Sequence, residues 1–407
     1  MIFFFGKISL FPVFILKQAK PPPSGMNILF FTAVCRSRPA ITCRVDFLLQ
    51  KTYTVYMKKI VFCGGGTAGH IMPNIALAEN FRNLCEIFYI GAGGMERELV
   101  PELLPEAVYF ECTAPKFNRS FSPDIIALPS RLWKSIRECT TILEKISPSL
   151  TVSKGGYAAF PVVYASHKLR IPVVAHESDS SLGLGNRMSL PFIKTLYTPF
   201  KSTAKQAGKK GVVCATPLTA RMQNGNKNKG LEIMGFEGKR PVLLCLGGSL
   251  GALTLNSALE KALPSLLSRM DVFLISGKGK KLSFARKGFN QTEFTTDIPH
   301  LYAAADIAYS RAGSNTLSEL SYYSVPMLLT PLVKSSRGEQ LKNAEEFAAK
   351  GVAKILPEDK LTPQSLVSEL FSLYTLSGEM KKHFPPRSAD LQMARSVARM
   401  LGLQLGT

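Results

Sequence analysis

The chain has 407 residues, 46% hydrophobic and 19% charged, with a formal net charge of +21, a length that allows two or three domains, each able to bury a core. Its eight cysteines stand singly, with no Cys-x-x-Cys pair, which excludes a zinc ribbon and a disulfide framework and reads as small apolar residues in a reducing cytosol. The charge calls for an anionic partner, but no Lys/Arg run interleaved with aromatics and no nucleic-acid module is present, so a membrane face or a polyphosphorylated substrate is preferred to nucleic acid.

Residues 1–56 carry Phe3-Phe4-Phe5, Pro21-Pro22-Pro23 and seven Lys or Arg against the single acid Asp46. The apolar run from Ile2 to Leu16 is broken by Lys7 and Pro12 and falls short of the ~20 residues of a spanning helix. No small-x-small cleavage site follows it, so a secretory signal is not indicated either. Met57 stands directly before the first strand. We therefore expect 1–56 to be an upstream extension, disordered or not native, with a membrane-associating tail as the alternative.

The run Lys58 to Cys63 reads as that first strand, and Gly64-Gly65-Gly66-Thr67-Ala68-Gly69-His70 as the turn into a helix. The pattern recurs in Leu243 to Ala252, where Gly247, Gly248, Ser249 and Gly251 repeat Gly65, Gly66, Thr67 and Gly69 at one constant offset. Two such units imply two doubly wound domains whose glycine turns and helix starts offer N–H groups to phosphates or sugar hydroxyls. After the first turn, Pro73 to Leu84 has helical spacing, Glu86 to Ile90 reads as the second strand, and Phe121 to Ile146 is amphipathic. Pro172 to Glu177 is a buried strand with a polar end, and Val212 to Cys214 is a last short strand before a domain boundary near Pro217. The second domain runs from Pro241 through strands at 271–275, 306–309, 325–329 and 354–356. A closing helix, Ala389 to Leu401, is expected to cross back onto the first domain.

Gly64-x-Gly66-x-x-Gly69 satisfies a dinucleotide pattern, but the second strand ends in glycines where a ribose-binding acid is required. The glycines also have a purely architectural reading, since tight strand-to-helix turns need them. His70 can accept a proton from a sugar hydroxyl or simply cap the helix. Ser249 suits a phosphate better than a nucleophile's role, because no Gly-x-Ser-x-Gly accompanies it. Helix-terminal amides can neutralise a diphosphate leaving group, so no metal is called for. Glu319, a turn inside the helix after Arg311-Ala312-Gly313-Ser314-Asn315-Thr316, can accept hydrogen bonds from both hydroxyls of a ribose or serve as a solvated acid near a cap. Gln340-x-x-Asn343 opens the next helix, with side-chain amides suited to sugar hydroxyls.

Together, Gly-Gly-Thr-x-Gly-His, Gly155-Gly156-Tyr157-x-x-x-Pro161, Ile171-Pro172-x-x-x-His176-Glu177, Gly247-Gly248-Ser249-x-Gly251-Ala252, Arg311 through Glu319 and Gln340-x-x-Asn343-Ala344 resemble the MurG family. Its members are peripheral-membrane N-acetylglucosaminyltransferases that convert lipid I to lipid II in bacterial peptidoglycan synthesis. The likeness spans Met57 to about Leu401. It implies an α/β glycosyltransferase B fold: two Rossmann-like domains, 57–217 and 218–387, facing a deep cleft, with 388–407 returning to the first.

The resemblance further implies that the second domain holds UDP-N-acetylglucosamine, through Gly248, Ser249, Gly251, Thr295, Arg311, Ser314, Thr316, Glu319, Gln340 and Asn343. Thr67, Ala68, Gly69, Asn186, Glu177 and Asp179 would line the side of the undecaprenyl-pyrophosphoryl-muramyl-peptide acceptor, with His70 the candidate base of an inverting displacement and no cofactor. Phe121, Ile125, Trp133 and Lys134 would dock on an anionic surface, the cytoplasmic face of the plasma membrane. The alternative for that segment is an ordinary core helix.

Three positions depart from the family pattern. His176-Glu177 is followed by Ser178-Asp179, where many relatives have Gln-Asn. Thr219 stands where an arginine is usual, with Arg221 two residues on, and Glu339 replaces a second glutamine. Competing readings are a diacylglycerol glycosyltransferase, a UDP-N-acetylglucosamine 2-epimerase, and a nucleotide-sugar sensor without turnover.

Overall fold

The computed structural model describes residues 26–27, 54–55, 57–114, 128–248, 251–332 and 338–405. Within 1–58 the described structure is one antiparallel pair, β1 (Met26–Asn27) with β2 (Thr54–Val55). The remainder, from Lys59 onward, forms one compact unit of two lobes.

The first lobe runs β3 (Lys58–Cys63), α1 (Ala68–Glu79), β4 (Cys85–Gly91), α2 (Glu96–Leu103), β5 (Val108–Glu111), α3 (Leu128–Ile146), β6 (Leu150–Ser153), α4 (Ala159–Lys168), β7 (Val173–His176), α5 (Leu184–Ser189), β8 (Thr195–Thr198), α6 (Lys201–Gln206) and β9 (Gly211–Val213). Its seven strands are ordered β5-β4-β3-β6-β7-β8-β9, and the pairs β3–β6, β4–β5, β6–β7, β7–β8 and β8–β9 are parallel. Helices cover both faces of a parallel sheet, so its central strands read as continuous apolar runs: Ile60, Val61, Phe62 and Cys63 are all fully buried.

The second lobe runs α7 (Ala220–Gln223), α8 (Lys227–Met234), β10 (Val242–Leu246), α9 (Leu253–Leu266), β11 (Asp271–Ile275), β12 (Phe289–Thr292), α10 (Ile298–Ala304), β13 (Ile307–Ser310), α11 (Ser314–Tyr322), β14 (Met327–Leu329), α12 (Glu339–Ala349), β15 (Ala353–Ile355), α13 (Pro363–Met380) and α14 (Gln392–Leu401). Its parallel sheet is ordered β12-β11-β10-β13-β14-β15. In both sheets the strand order reverses beside the strand carrying the glycine turn, between β3 and β6 and between β10 and β13. Ligands of doubly wound folds bind outside the carboxyl ends of the strands at such points.

The closing helix α14 does cross back. Met393, Ala394, Val397, Ala398 and Leu401 form one helical stripe and join the first lobe's core with Ile60, Phe62, Tyr89 and Val152. The hydroxyls of Tyr197 and Ser396 lie 2.6 Å apart beside it. Two helix boundaries differ from the sequence reading. α1 begins at Ala68, not Pro73, because the chain turns directly from an extended Thr67 and carries Pro73 inside the helix. α14 begins at Gln392, after a 3-10 turn over Arg387–Leu391. The described cysteines 63, 85, 112, 139, 214 and 245 are free and buried, and burial pushes the Cys63 thiol up to about 12.

Candidate active site

The first glycine turn is built by close approach. Gly66 has φ +96°, and a Cβ there would lie 2.7 Å from the Tyr157 ring, so only glycine lets the turns at 64–66 and 155–157 interlock. A Cβ on Gly156 would meet Gly65 O at 2.9 Å and the His70 ring at 3.7 Å, which sets the Gly-Gly-Tyr turn directly beside His70. Thr67 Oγ1 lies 2.9 Å from His70 Nδ1, and His70 N donates to Thr67 O at 2.9 Å. These bonds fix the imidazole at the entrance of α1. Of Ala68, only the backbone at the start of α1 is described.

Glu96 is a participant that the sequence reading missed. It is fully buried, and its carboxylate accepts from Gly66 N at 2.9 Å, Ala92 N at 2.9 Å and Gly94 N at 3.2 Å. Burial pushes its pKa up, but the backbone donors outweigh that and hold it below the usual carboxylate range. The first turn therefore spends the Gly66 amide on an internal acid. The signal was an acidic residue two positions after Gly93-Gly94, where attention rested on the missing acid at the strand end.

On the same side of the cleft, Glu177 Oε2 accepts from Gly183 N at 2.8 Å and Asn186 Nδ2 at 3.0 Å, and Oε1 accepts from Asp179 N at 3.3 Å. Asn186 Nδ2 also donates to His176 O at 3.1 Å. Glu177 and Asn186, expected on the acceptor side, thus shape the loop after β7. Both ring nitrogens of His176, Ser178 Oγ and Asn186 Oδ1 are buried without a hydrogen-bond partner. Burial, then the charge of Lys154, holds His176 well below its ordinary value, so the ring is neutral at physiological pH.

Across the cleft, α11 starts at Ser314 with Gly313 as its N-cap. A Cβ on Gly69 would lie 3.7 Å from Asn315 Nδ2, so the starts of α1 and α11 approach each other, with Ser314 and Thr316 half-buried on the first turn of α11. Glu319 lies a turn further in, where its Oε2 accepts from Tyr302 OH at 2.8 Å. Burial pushes Glu319 up to about 7, against the pull of the tyrosine hydrogen bond. Of the second glycine turn, Ser249 lies outside the described residues, while Gly248 has φ +82°, a left-handed conformation open to glycine. A Cβ on Gly251 would collide with Ser276 O.

Thr295 Oγ1 accepts from Asp297 N at 2.9 Å, and Arg221 Nη2 donates to Thr296 O at 3.0 Å. Arg221 therefore sits beside the segment expected to meet a base, whereas Thr219 caps α7 by accepting from Met222 N at 3.2 Å. Gln340 Oε1 accepts from Leu332 N at 3.0 Å.

Two residues expected on the sugar donor are engaged within the protein. Arg311 donates to both carboxylate oxygens of Glu358, at 3.2 and 3.0 Å, and to Thr330 O at 3.0 Å. Asn343 is fully buried; its Oδ1 accepts from Ser180 N at 2.9 Å, and its Nδ2 donates to Asp179 Oδ1 and Ala312 O, both at 3.2 Å. These contacts match the donors that a buried guanidinium or amide must have satisfied. Asp179, expected at the acceptor, makes its contact with the opposite lobe.

Of the expected membrane residues, Phe121 and Ile125 lie outside the described residues. Trp133, on α3, is 55% exposed, with Lys168 Nζ 5.5 Å from its ring centroid. Lys134 is exposed beside it, while Ile136, Cys139, Leu143 and Ile146 form the buried face. The helix thus packs on the core through one side and presents Trp133 on the other. Among the described residues no helix is long and apolar enough to cross a membrane.

The glycosyltransferase family 28 N-terminal domain matches residues 60–198, and the family 28 C-terminal domain matches 242–394. A UDP-N-acetylglucosamine--N-acetylmuramyl-(pentapeptide) pyrophosphoryl-undecaprenol N-acetylglucosamine transferase of Lachnoclostridium phytofermentans is 41% identical over 85% of this chain and 98% of its own length. The Staphylococcus aureus enzyme of the same name is 39% identical over 77% and 90%. Acinetobacter baumannii MurG superposes with a TM-score of 0.66 at 22% identity, covering 84% of this chain and 99% of that one. A Listeria monocytogenes putative UDP-N-acetylglucosamine 2-epimerase superposes at 0.62 with 11% identity, covering 85% and 97%, a likeness of fold. The two matched domains fill both lobes around the cleft, and this chain belongs to glycosyltransferase family 28, in the MurG family.

Proposed function

We propose that the chain transfers N-acetylglucosamine from UDP-N-acetylglucosamine to the C4 hydroxyl of a lipid-linked N-acetylmuramyl-peptide, converting lipid I to lipid II. The observation that carries this reading is the approach of the α1 start, with His70, to the α11 start, with Glu319 one turn behind it. The likeness to the Lachnoclostridium and Staphylococcus enzymes supports the same acceptor.

In this reading Glu319 accepts the ribose hydroxyls, the backbone near Thr295 meets uracil with Arg221 alongside, and Gln340 reads the sugar. Ser249 with Gly248 and Gly251 meets the diphosphate. Amides of that turn and of the α11 start, at Ser314 and Thr316, stabilise the charge that develops on UDP as the glycosidic bond breaks. With Nδ1–H donating to Thr67 Oγ1, Nε2 is the basic atom, and His70 takes the proton as the muramyl hydroxyl attacks the anomeric carbon. Arg311 and Asn343 shape the walls instead of touching the sugar.

Two domains meeting near Pro217, with 388–407 returning to the first, are supported by the sheet ends at Val213 and Val242 and the docking of α14. Trp133 with Lys134, Arg131 and Arg137 on the outer side of α3 would rest on an anionic bilayer at the cytoplasmic face of the membrane.

The test is transfer of radiolabelled sugar by purified protein to lipid I, with diacylglycerol and no acceptor as parallel arms. Labelled lipid II supports the proposal. Transfer to diacylglycerol alone, or epimerised sugar and UDP without acceptor, overturns it.

A further inference from the structure

One face of α12 grips the first lobe. Glu339, Asn343, Glu346 and Lys350 follow the spacing that aligns residues on one side of a helix. Ser180 Oγ donates to Glu339 O at 3.5 Å, Lys201 N and Ser202 N donate to the Glu346 carboxylate at 2.9 and 3.0 Å, and Lys350 Nζ donates to Pro199 O at 3.0 Å. In the middle stands Asn343, bonded to Ser180 N and Asp179 Oδ1. The Asp179 backbone is tied down in turn, since Thr203 Oγ1 donates to its carbonyl at 2.7 Å.

Behind this contact lies Lys154, directly after β6 and only 2% exposed. A buried ammonium is costly unless charge of opposite sign is near. Among the described residues no ion pair within 4 Å takes it up; its balance comes from the Glu177 and Asp179 carboxylates acting through space, as burial pulls its pKa down and they draw it back. The departure from the family pattern at Asp179 acquires a reason: its carboxylate accepts from the Asn343 amide and adds to the field that favours the Lys154 ammonium.

We propose that Asp179 and Asn343, with Lys154 buried after β6, form one polar strut between the lobes, which sets the spacing of the acceptor loop and the sugar-reading helix α12 and makes Asp179 and Asn343 positioning residues in the transfer. The proposal rests on the transfer reading for what the cleft does, while the strut itself can be read without an acceptor.

Two double-mutant cycles test it. Lys154→Met leaves two carboxylates uncompensated and is expected to lower kcat about tenfold, with UDP affinity by calorimetry unchanged within about twofold because the uridine contacts lie in the second lobe. Adding Asp179→Asn removes one of the two and is expected to recover most of that loss. Asn343→Asp turns an amide donor into an oxygen facing Asp179 and Ala312 O, and the swapped pair, Asn343→Asp with Asp179→Asn, restores the bond between 179 and 343 but not the one to Ala312 O, so partial recovery is expected. Losses that simply multiply in both cycles overturn the strut. Should Lys154→Met fail to fold, Lys154→Gln and the Asn343 swap carry the same decision. If the parent turns over no lipid I, the transfer reading fails by itself. Hydrogen exchange at residues 177–183 then decides the strut: protection lost in Asn343→Asp and regained in the swap supports it, and protection unchanged in both overturns it.

Discussion

His70, at the start of α1, and Glu319, on α11, belong to opposite lobes, and each makes a prediction. His70→Ala is expected to lower kcat by well over tenfold, more than about 1.4 kcal/mol of barrier, with UDP affinity unchanged; turnover within tenfold of the parent removes it as the base. Glu319, raised to about 7, binds its proton more tightly folded than unfolded. Its contribution to stability is present at low pH and is lost as pH rises through about 7. Ligand binding has the opposite sign, because ribose hydroxyls need the ionised acceptor. UDP affinity should therefore rise between about pH 6 and pH 8 with release of a proton, seen as buffer-dependent heats in calorimetry. Glu319→Gln should weaken binding and flatten that dependence.

At the scale of elements, α14 makes the sharpest stability prediction. Leu401 is 5% exposed within the first lobe's core, so Leu401→Ala should cost about 2–4 kcal/mol, read as a lower urea midpoint with faster hydrogen exchange in β3 and β4. The crossing was legible in sequence because Met393, Ala394, Val397, Ala398 and Leu401 make a stripe too apolar for a tail. The paired glycine turns were legible because each follows a run of residues that can only be a buried strand. The boundary of α1 was not, because Pro73 reads as a helix start while the turn ahead of it had already set one. Glu96 was missed, and the partners of Arg311 and Asn343 were not legible, for a common reason: residue type declares a hydrogen-bonding capacity, and only packing reveals which partner 30, 47 or 163 positions away uses it.

For the whole molecule, the charge of +21 and the exposed Trp133 with its basic neighbours predict binding to anionic vesicles that weakens with salt. Trp133→Ala and Lys134→Glu should each reduce vesicle cosedimentation and leave UDP affinity as it was. If neither changes sedimentation, α3 is not the docking element.

The return of α14 also orders the birth of the molecule. Strands β3 to β9 leave the ribosome early, yet the apolar groove they form waits for residues 392–401, which arrive only after the whole second lobe has been made. Through that interval the nascent first lobe lacks the part of its core that Met393, Val397 and Leu401 complete, a setting for aggregation or chaperone capture. Polypeptides stopped short of Gln392 should accordingly bind chaperones and precipitate even when their second lobe still recognises UDP.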